Sequence, residues 1–187
     1  TLWGCFKKPT CKISYVDSLA DGSGDPTKAQ VRLYERWAEG GVALSIIGKV
    51  QGDPRFPEKP GNLVLGTNSD LEAFHSLASR ASIDGAHIWP QIGHAGVLSR
   101  SAISCPTGPS ELRIGSFQCA GMLMTEINQL PDMYANAAVI AKGVGFTGVQ
   151  IHAGHGFLLS QFLSPLFSHR NDQYGGSIEA RCRIIVE

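Results

Sequence analysis

The chain has 187 residues, 43% of them hydrophobic and 17% charged, with a formal net charge of +0. That is enough to bury one substantial core as a single domain over 1–187. The balanced charge gives no electrostatic basis for binding nucleic acid or an anionic membrane, and no apolar run approaches the ~18 residues of a membrane span. The five cysteines, Cys5, Cys11, Cys105, Cys119 and Cys182, contain no Cys-x-x-Cys pair, which fits reduced thiols in a cytoplasmic protein better than a disulfide framework or a zinc site.

Residues 1–9 show no clear period, and 11–16 are of a length and polarity for a first strand. Asp25-Pro26 predicts an N-cap followed by proline at the first helical position. Val31, Tyr34, Trp37 and Ala38 then repeat at helical spacing until Gly40-Gly41. Residues 42–47 form a continuous apolar run of strand length, as a parallel sheet covered on both faces requires. A long loop follows over 48–66, containing Pro54, Pro57 and Pro60.

Ser69-Asp70 predicts the cap of a second helix, with Leu71, Phe74, Leu77, Ala78 and Ala81 on one face. A third strand is expected at 87–92, then an irregular active-site loop over 97–124. The next helix, 125–142, has Pro131 inside it, which resets its first turn. A fourth strand at 147–151 leads into a turn at Gly154-His155-Gly156, and a fourth helix opens at Ser177. The order is β-α-β-α-β-α-β-α, with right-handed crossovers expected.

His152 and His155 stand just past the fourth strand, where a parallel α/β barrel displays its reactive groups. The residues 148–165, Gly-Val-Gln-Ile-His-Ala-Gly-His-Gly-Phe-Leu-Leu-Ser-Gln-Phe-Leu-Ser-Pro, precede Arg170-Asn171-Asp172-Gln173-Tyr174-Gly175-Gly176. Trp89-Pro90-Gln91-Ile92-Gly93-His94-Ala95-Gly96 and Leu33-Tyr34-Glu35-Arg36-Trp37-Ala38-Glu39-Gly40-Gly41 come before them. In this order the motifs resemble the NADH:flavin oxidoreductase family, the old yellow enzymes, from about Lys12 to the last residue. The resemblance implies an α/β fold, a (β/α)8 TIM barrel truncated here to about its first four β/α units. A complete barrel of this kind needs about 250 residues, so the expectation is an N-terminal half.

The resemblance also implies FMN as cofactor, NADH or NADPH as reductant, and a small electrophilic alkene (enone) as substrate. Gln91 corresponds to the residue that hydrogen-bonds the flavin ring, Gly48 to a small residue beneath it, and Val16 to a first-strand contact with its reactive edge. Valine offers no side-chain hydrogen bond there. Lys49 replaces a residue that is more often Asn or a Glu-like polar group. His152 and His155 correspond to the pair that holds the substrate carbonyl oxygen, and His94 to a residue that ties its own loop. Phe157 occupies the position of the usual tyrosine acid and has no proton to give.

Two other readings remain open on the residues. One is a non-catalytic remnant or interaction partner, able to form a homo-oligomer, that lacks the flavin phosphate site. The other is a metal-dependent hydrolase using His94, His152 and His155. The expectation is no metal, because Asp172 is the first acid after the pair.

Overall fold

The computed structural model describes residues 10–15, 17–115 and 117–187. Val16, the expected first-strand contact, lies outside them. The main sheet has four parallel strands, β1 (Thr10–Tyr15), β2 (Val42–Gln51), β3 (His87–Gly93) and β7 (Gln150–Ile151), in the order β1-β2-β3-β7. The helices α1 (Lys28–Glu39), α2 (Leu71–Ala81) and α4 (Leu130–Gly143) connect them. This is the expected βα alternation, and among the described residues the sheet does not close on itself: β1 and β7 each have one neighbour in it. Tyr34, Ile47, Phe74, Leu77, Ile88 and Ile92 fill the core between helices and sheet.

Several boundaries differ from the sequence expectation for local reasons. Thr27, not Asp25, caps α1 by accepting the Gln30 N–H. Asp25 instead accepts the backbone N–H of Asp70 at 2.8 Å, joining the starts of α1 and α2. Asp70 in turn caps α2 through the N–H groups of Glu72 and Ala73, both at 3.0 Å. Leu71 does not share the buried face with Phe74 and Leu77, being 52% exposed.

β2 runs past residue 47 to Gln51. The Gln51 N–H donates to Leu63 O at 2.7 Å, and the Leu65 N–H donates to Gln51 O at 2.9 Å. This ladder folds the long proline-bearing loop back along the strand. Pro131 falls in the first turn of α4, which separates α4 from the short α3 (Met124–Ile127). There the missing N–H costs nothing.

The expected irregular loop over 97–124 contains a second, small sheet of β4 (Thr107–Gly108), β5 (Leu112–Ile114) and β6 (Phe117–Gly121), in the order β4-β6-β5. Arg170 braces it by donating from Nη1 to the carbonyls of Pro109 (2.6 Å) and Met122 (3.0 Å) while its guanidinium pairs with Asp172. β7 is shorter than the expected 147–151, since only Gln150 and Ile151 pair in register with β3. The chain then enters α5 (Leu158–Leu163), which the sequence reading lacked, and α6 (Ile178–Val186), capped by Ser177 as expected.

Two buried polar side chains bind the loops after β3 and β7. Gln161, with no exposure, accepts the Val97 N–H at Oε1 and donates from Nε2 to the carbonyls of Ala95 and Gly156. His94 accepts the Gly96 N–H at Nδ1 (2.9 Å) and stacks on Phe56 at 4.2 Å. Burial pushes the His94 imidazole down to about 4; Asp53 opposes that shift and Arg55 adds to it. Among the described residues, no helix is long and apolar enough to cross a membrane.

Two outcomes follow from this architecture. Among the described residues β1 and β7 each have a strand partner on one side only, and Ile151 in β7 is 43% exposed. Edge strands pair with other chains. In sedimentation velocity the purified chain should therefore self-associate at micromolar concentration; a monodisperse, cooperatively unfolding monomer would contradict this.

The second concerns pH. The His94 value in the folded chain, about 4, lies below the roughly 6.5 of an unfolded histidine. Between the two, the unfolded chain binds more protons, so the contribution is intact above pH 6.5 and is lost as pH falls towards 4. The loss from this group is on the order of 3 kcal/mol. Chemical denaturation at pH 7.5 and 4.5 should show a smaller difference in His94→Asn, whose amide oxygen can still accept the Gly96 N–H. An unchanged difference would assign the acid sensitivity to other groups.

Candidate functional site

The parallel pairing of β3 with β7 sets Gln91 beside Gln150 and Ile92 beside Ile151. One residue further on, the His152 N–H donates to Ile92 O at 2.8 Å. Residues 150 and 152 alternate onto one face of the strand. Gln91 is 8% exposed and donates from Nε2 to Gln150 Oε1 at 2.7 Å, so the two amides orient each other. Gln150 stands in the sequence motif without an assigned role, although its place two residues before His152 puts it on the same face.

His152 fits because its neighbour across the sheet is glycine. A Cβ on Gly93 would stand 3.3 Å from His152 Cβ. His152 is buried, and its ring packs edge-on against Phe157 at 4.7 Å. The Gly154 N–H donates to His152 Nδ1 at 3.1 Å. An Nδ1 that accepts leaves the proton of the neutral ring on Nε2, which lies 3.3 Å from His155 Nδ1. The rings are thus connected in series: His152 Nε2–H donates to His155 Nδ1, and His155 Nε2–H is the donor that faces outward. His155 itself is exposed.

Burial drives the His152 pKa down to about 4, with smaller contributions from His155 and Lys49 and an opposing one from Glu58. Near neutral pH the ring is uncharged, as the series arrangement requires. His155 and Gly156 both have left-handed backbone, with φ of 54° and 76°. A non-glycine residue pays about 1–3 kcal/mol there. The Gly156 carbonyl tied to Gln161 and the Phe157 N–H tied to Gly154 O hold the turn.

A second left-handed residue faces the same cluster. Against β3, β2 carries one extra residue between Ile47 and Val50, a bulge formed at Gly48-Lys49. Lys49 has φ of 58°. Bulges re-aim side chains and gather beside functional sites. This one turns Lys49 inward, where Nζ lies 5.3 Å from the Phe157 ring centroid and pairs with Glu58. The carboxylate of Glu58 went unremarked in the sequence, lying in a loop with no period to place it. Gly48 thus stands at the bulge beside the cluster. Of the expected site residues, the structure brings His152, His155 and Phe157 into direct contact and sets Gln91 on the strand alongside them.

Residues 9–187 match the NADH:flavin oxidoreductase / NADH oxidase family. Among curated proteins, an NADH oxidase of Thermoanaerobacter brockii is 34% identical over 91% of this chain and 27% of its own length. The 12-oxophytodienoate reductase 1 of Oryza sativa subsp. japonica is 34% identical over 85% of this chain and 44% of its own length. An NADH-dependent flavin oxidoreductase of Aspergillus parasiticus is 30% identical over 93% and 42% respectively. The chain therefore spans less than half the length of these relatives. Among solved structures, the old yellow enzyme homologue from Zymomonas mobilis superposes with a TM-score of 0.86, at 23% identity, over 97% of this chain and 57% of that one. Morphinone reductase does so with a TM-score of 0.87 at 22% identity, over 97% and 55%. The half-barrel fold and the family match agree: this chain belongs to the NADH:flavin oxidoreductase family, the old yellow enzymes, and covers part of the family's barrel.

Proposed function

We propose that the chain forms the substrate-polarising side of an FMN-dependent oxidoreductase, which takes reducing equivalents from NADH or NADPH and passes them to a small activated alkene such as an enone. The observation that carries this is the His152–His155 pair, placed one residue past a parallel strand and beside Gln91. A carbonyl oxygen arriving at the outward Nε2–H of His155 meets a donor already oriented by the ring behind it. Such preorganised donors stabilise the negative charge that develops on oxygen when the neighbouring double bond is reduced. His152 stays neutral and keeps the tautomer of His155 fixed.

The ring end of FMN fits the residues present. A primary amide offers both a donor and an acceptor to a pyrimidine edge, and Gln91 is oriented by Gln150. Bound flavin would supply the hydride chemistry. The phosphate end has less support. In eight-stranded barrels the phosphate sits at the loops after strands seven and eight, and the main sheet here has four strands among the described residues.

Ring contacts of about 0.5–1.5 kcal/mol each must first overcome an association cost of at least about 4 kcal/mol. Micromolar affinity needs roughly 8 kcal/mol beyond that. The same shortfall supports the reading that the chain by itself is a non-catalytic piece, which needs further barrel strands to act.

Two titrations test these statements. FMN and riboflavin, followed by flavin fluorescence, should bind the chain with similar dissociation constants above about 10 µM, weakened further in Gln91→Ala. FMN binding at least tenfold tighter than riboflavin would show that the described residues do build a phosphate site. Independently, 2-cyclohexenone should shift the His155 ring resonances in the NMR spectrum, and this response should vanish in His155→Ala. A spectrum indifferent to the enone would remove the basis for the oxygen-binding role.

A further inference from the structure

Reduction of an activated alkene needs a proton for the carbon next to the carbonyl, and the cluster around Phe157 contains several candidate hydrogens. Phe157 has only C–H bonds. The Nε2–H of His152 is engaged by His155, and in the function proposed above the Nε2–H of His155 is taken by the carbonyl oxygen. Glu58, as the ion-pair partner of Lys49, is an acceptor. The ammonium of Lys49 remains.

We propose that Lys49 is the proton donor of this site, delivering to the α-carbon of a bound activated alkene the proton that Phe157 cannot supply. The proposal rests on the function given above.

Three features of the structure support it. The bulge at Gly48-Lys49 and the left-handed backbone of Lys49 turn a strand residue out of its regular alternation and into the cluster. The side chain is 19% exposed, and Nζ stands over the ring face of Phe157, which itself touches His152. Glu58 pairs with the ammonium. An ammonium, like a phenol, carries an N–H or O–H proton that it can give to carbon, which a phenylalanine ring does not. The depressed His152 value, to which Lys49 contributes, agrees with a positive charge close to the pair.

The step balances simply. Bound reduced flavin would supply a hydride, with its two electrons, to the β-carbon of the alkene, and His155 would hold the carbonyl oxygen towards which the electron pair of the double bond moves. The α-carbon then takes a proton from Lys49 Nζ: an N–H bond breaks, a C–H bond forms, and a neutral amine is left. Solvent water returns the proton.

The reverse of that transfer can be watched without flavin or reductant. A base at the α-carbon of a saturated ketone, with a donor at its oxygen, exchanges the α-hydrogens with solvent. Cyclohexanone in D2O, followed by proton NMR, should exchange faster with the chain than in buffer. Lys49→Gln and Lys49→Arg should each slow the excess exchange by at least about 100-fold while the circular dichroism spectrum is preserved. Arginine keeps the charge but gives up the proton too reluctantly to serve. Adding Phe157→Tyr to Lys49→Gln should restore exchange.

Exchange that survives Lys49→Arg would make the role one of charge and overturn the proposal. Exchange lost in His155→Ala but unchanged in Lys49→Gln would overturn it and leave the oxygen-binding role of the pair standing. No excess exchange, in a chain whose His155 resonances still respond to 2-cyclohexenone, would do the same. Failure of both measurements would remove the donor and the function together.

Discussion

Gln161 has no contact with water, so every polar atom of its amide must find a partner inside the protein, and the partners it finds belong to two different loops. Its oxygen takes the Val97 N–H; its nitrogen gives to Ala95 O and Gly156 O. A buried backbone group left unpaired costs about 1–3 kcal/mol. The loop after β3 and the turn after β7 therefore cannot separate without exposing several such groups at once. Gly96 leaves space for the Gln161 amide, since a Cβ there would collide with it. The site inherits its rigidity from this junction, because His152, His155 and Phe157 all sit on the turn that Gln161 anchors.

That anchoring explains how the turn tolerates His155 at positive φ. Free in solution, the residue would relax to extended or helical backbone. Here Gly156 O, Gly154 O and Ser160 are all tied, the last by a hydroxyl donating to Phe157 O at 2.8 Å. The backbone is determined from both sides, and the imidazole is presented outward. The strain at Lys49 has a similar origin, a bulge between two strands whose register is fixed on either side of it. The two side chains approach the same cluster from different partners, Lys49 over the ring of Phe157 and His155 beside His152.

Much of this was legible in the sequence because it depends on periodicity or on short motifs. The apolar run at 42–47 and the helical spacing of Tyr34, Phe74 and Leu77 report burial directly. Asp70, Ser177 and Pro131 mark helix starts by chemistry that needs no tertiary context. What escaped depends on partners distant in the chain. Thr27 replaces Asp25 as a cap because Asp25 is drawn to the Asp70 N–H, forty-five residues away. Strands of two and three residues such as β4 and β5 have no period to read, and the Arg170 that ties the residues just past β4 and β6 is some fifty to sixty residues away in the chain. The histidine pair was visible as a motif, but its arrangement in series was not. It depends on the Gly154 N–H choosing the tautomer.

The distribution of the site over the fold has a mechanistic consequence. Parallel strands place their C-terminal ends, and the loops that follow, on one side of the sheet. Lys49 lies in the bulge near the C-terminal end of β2, His94 follows β3, and His152 follows β7, so polar groups gather at one end of the sheet although the strands contribute one or two residues each. In the proposed function Gln91, His155 and Lys49 would address a ring edge, a carbonyl oxygen and a carbon awaiting a proton, while His94 ties its own loop. None is a cradle for a dianion. Polarising a small substrate requires only a few well-oriented hydrogen-bond donors, which four strands can supply. Retaining a phosphorylated cofactor requires backbone N–H groups and positive charge gathered at one place. In an eight-stranded barrel those two tasks fall to opposite parts of the ring of strands. A four-stranded sheet can be well formed for the first task while binding the cofactor weakly, because orientation of donors and affinity for phosphate arise from different loops.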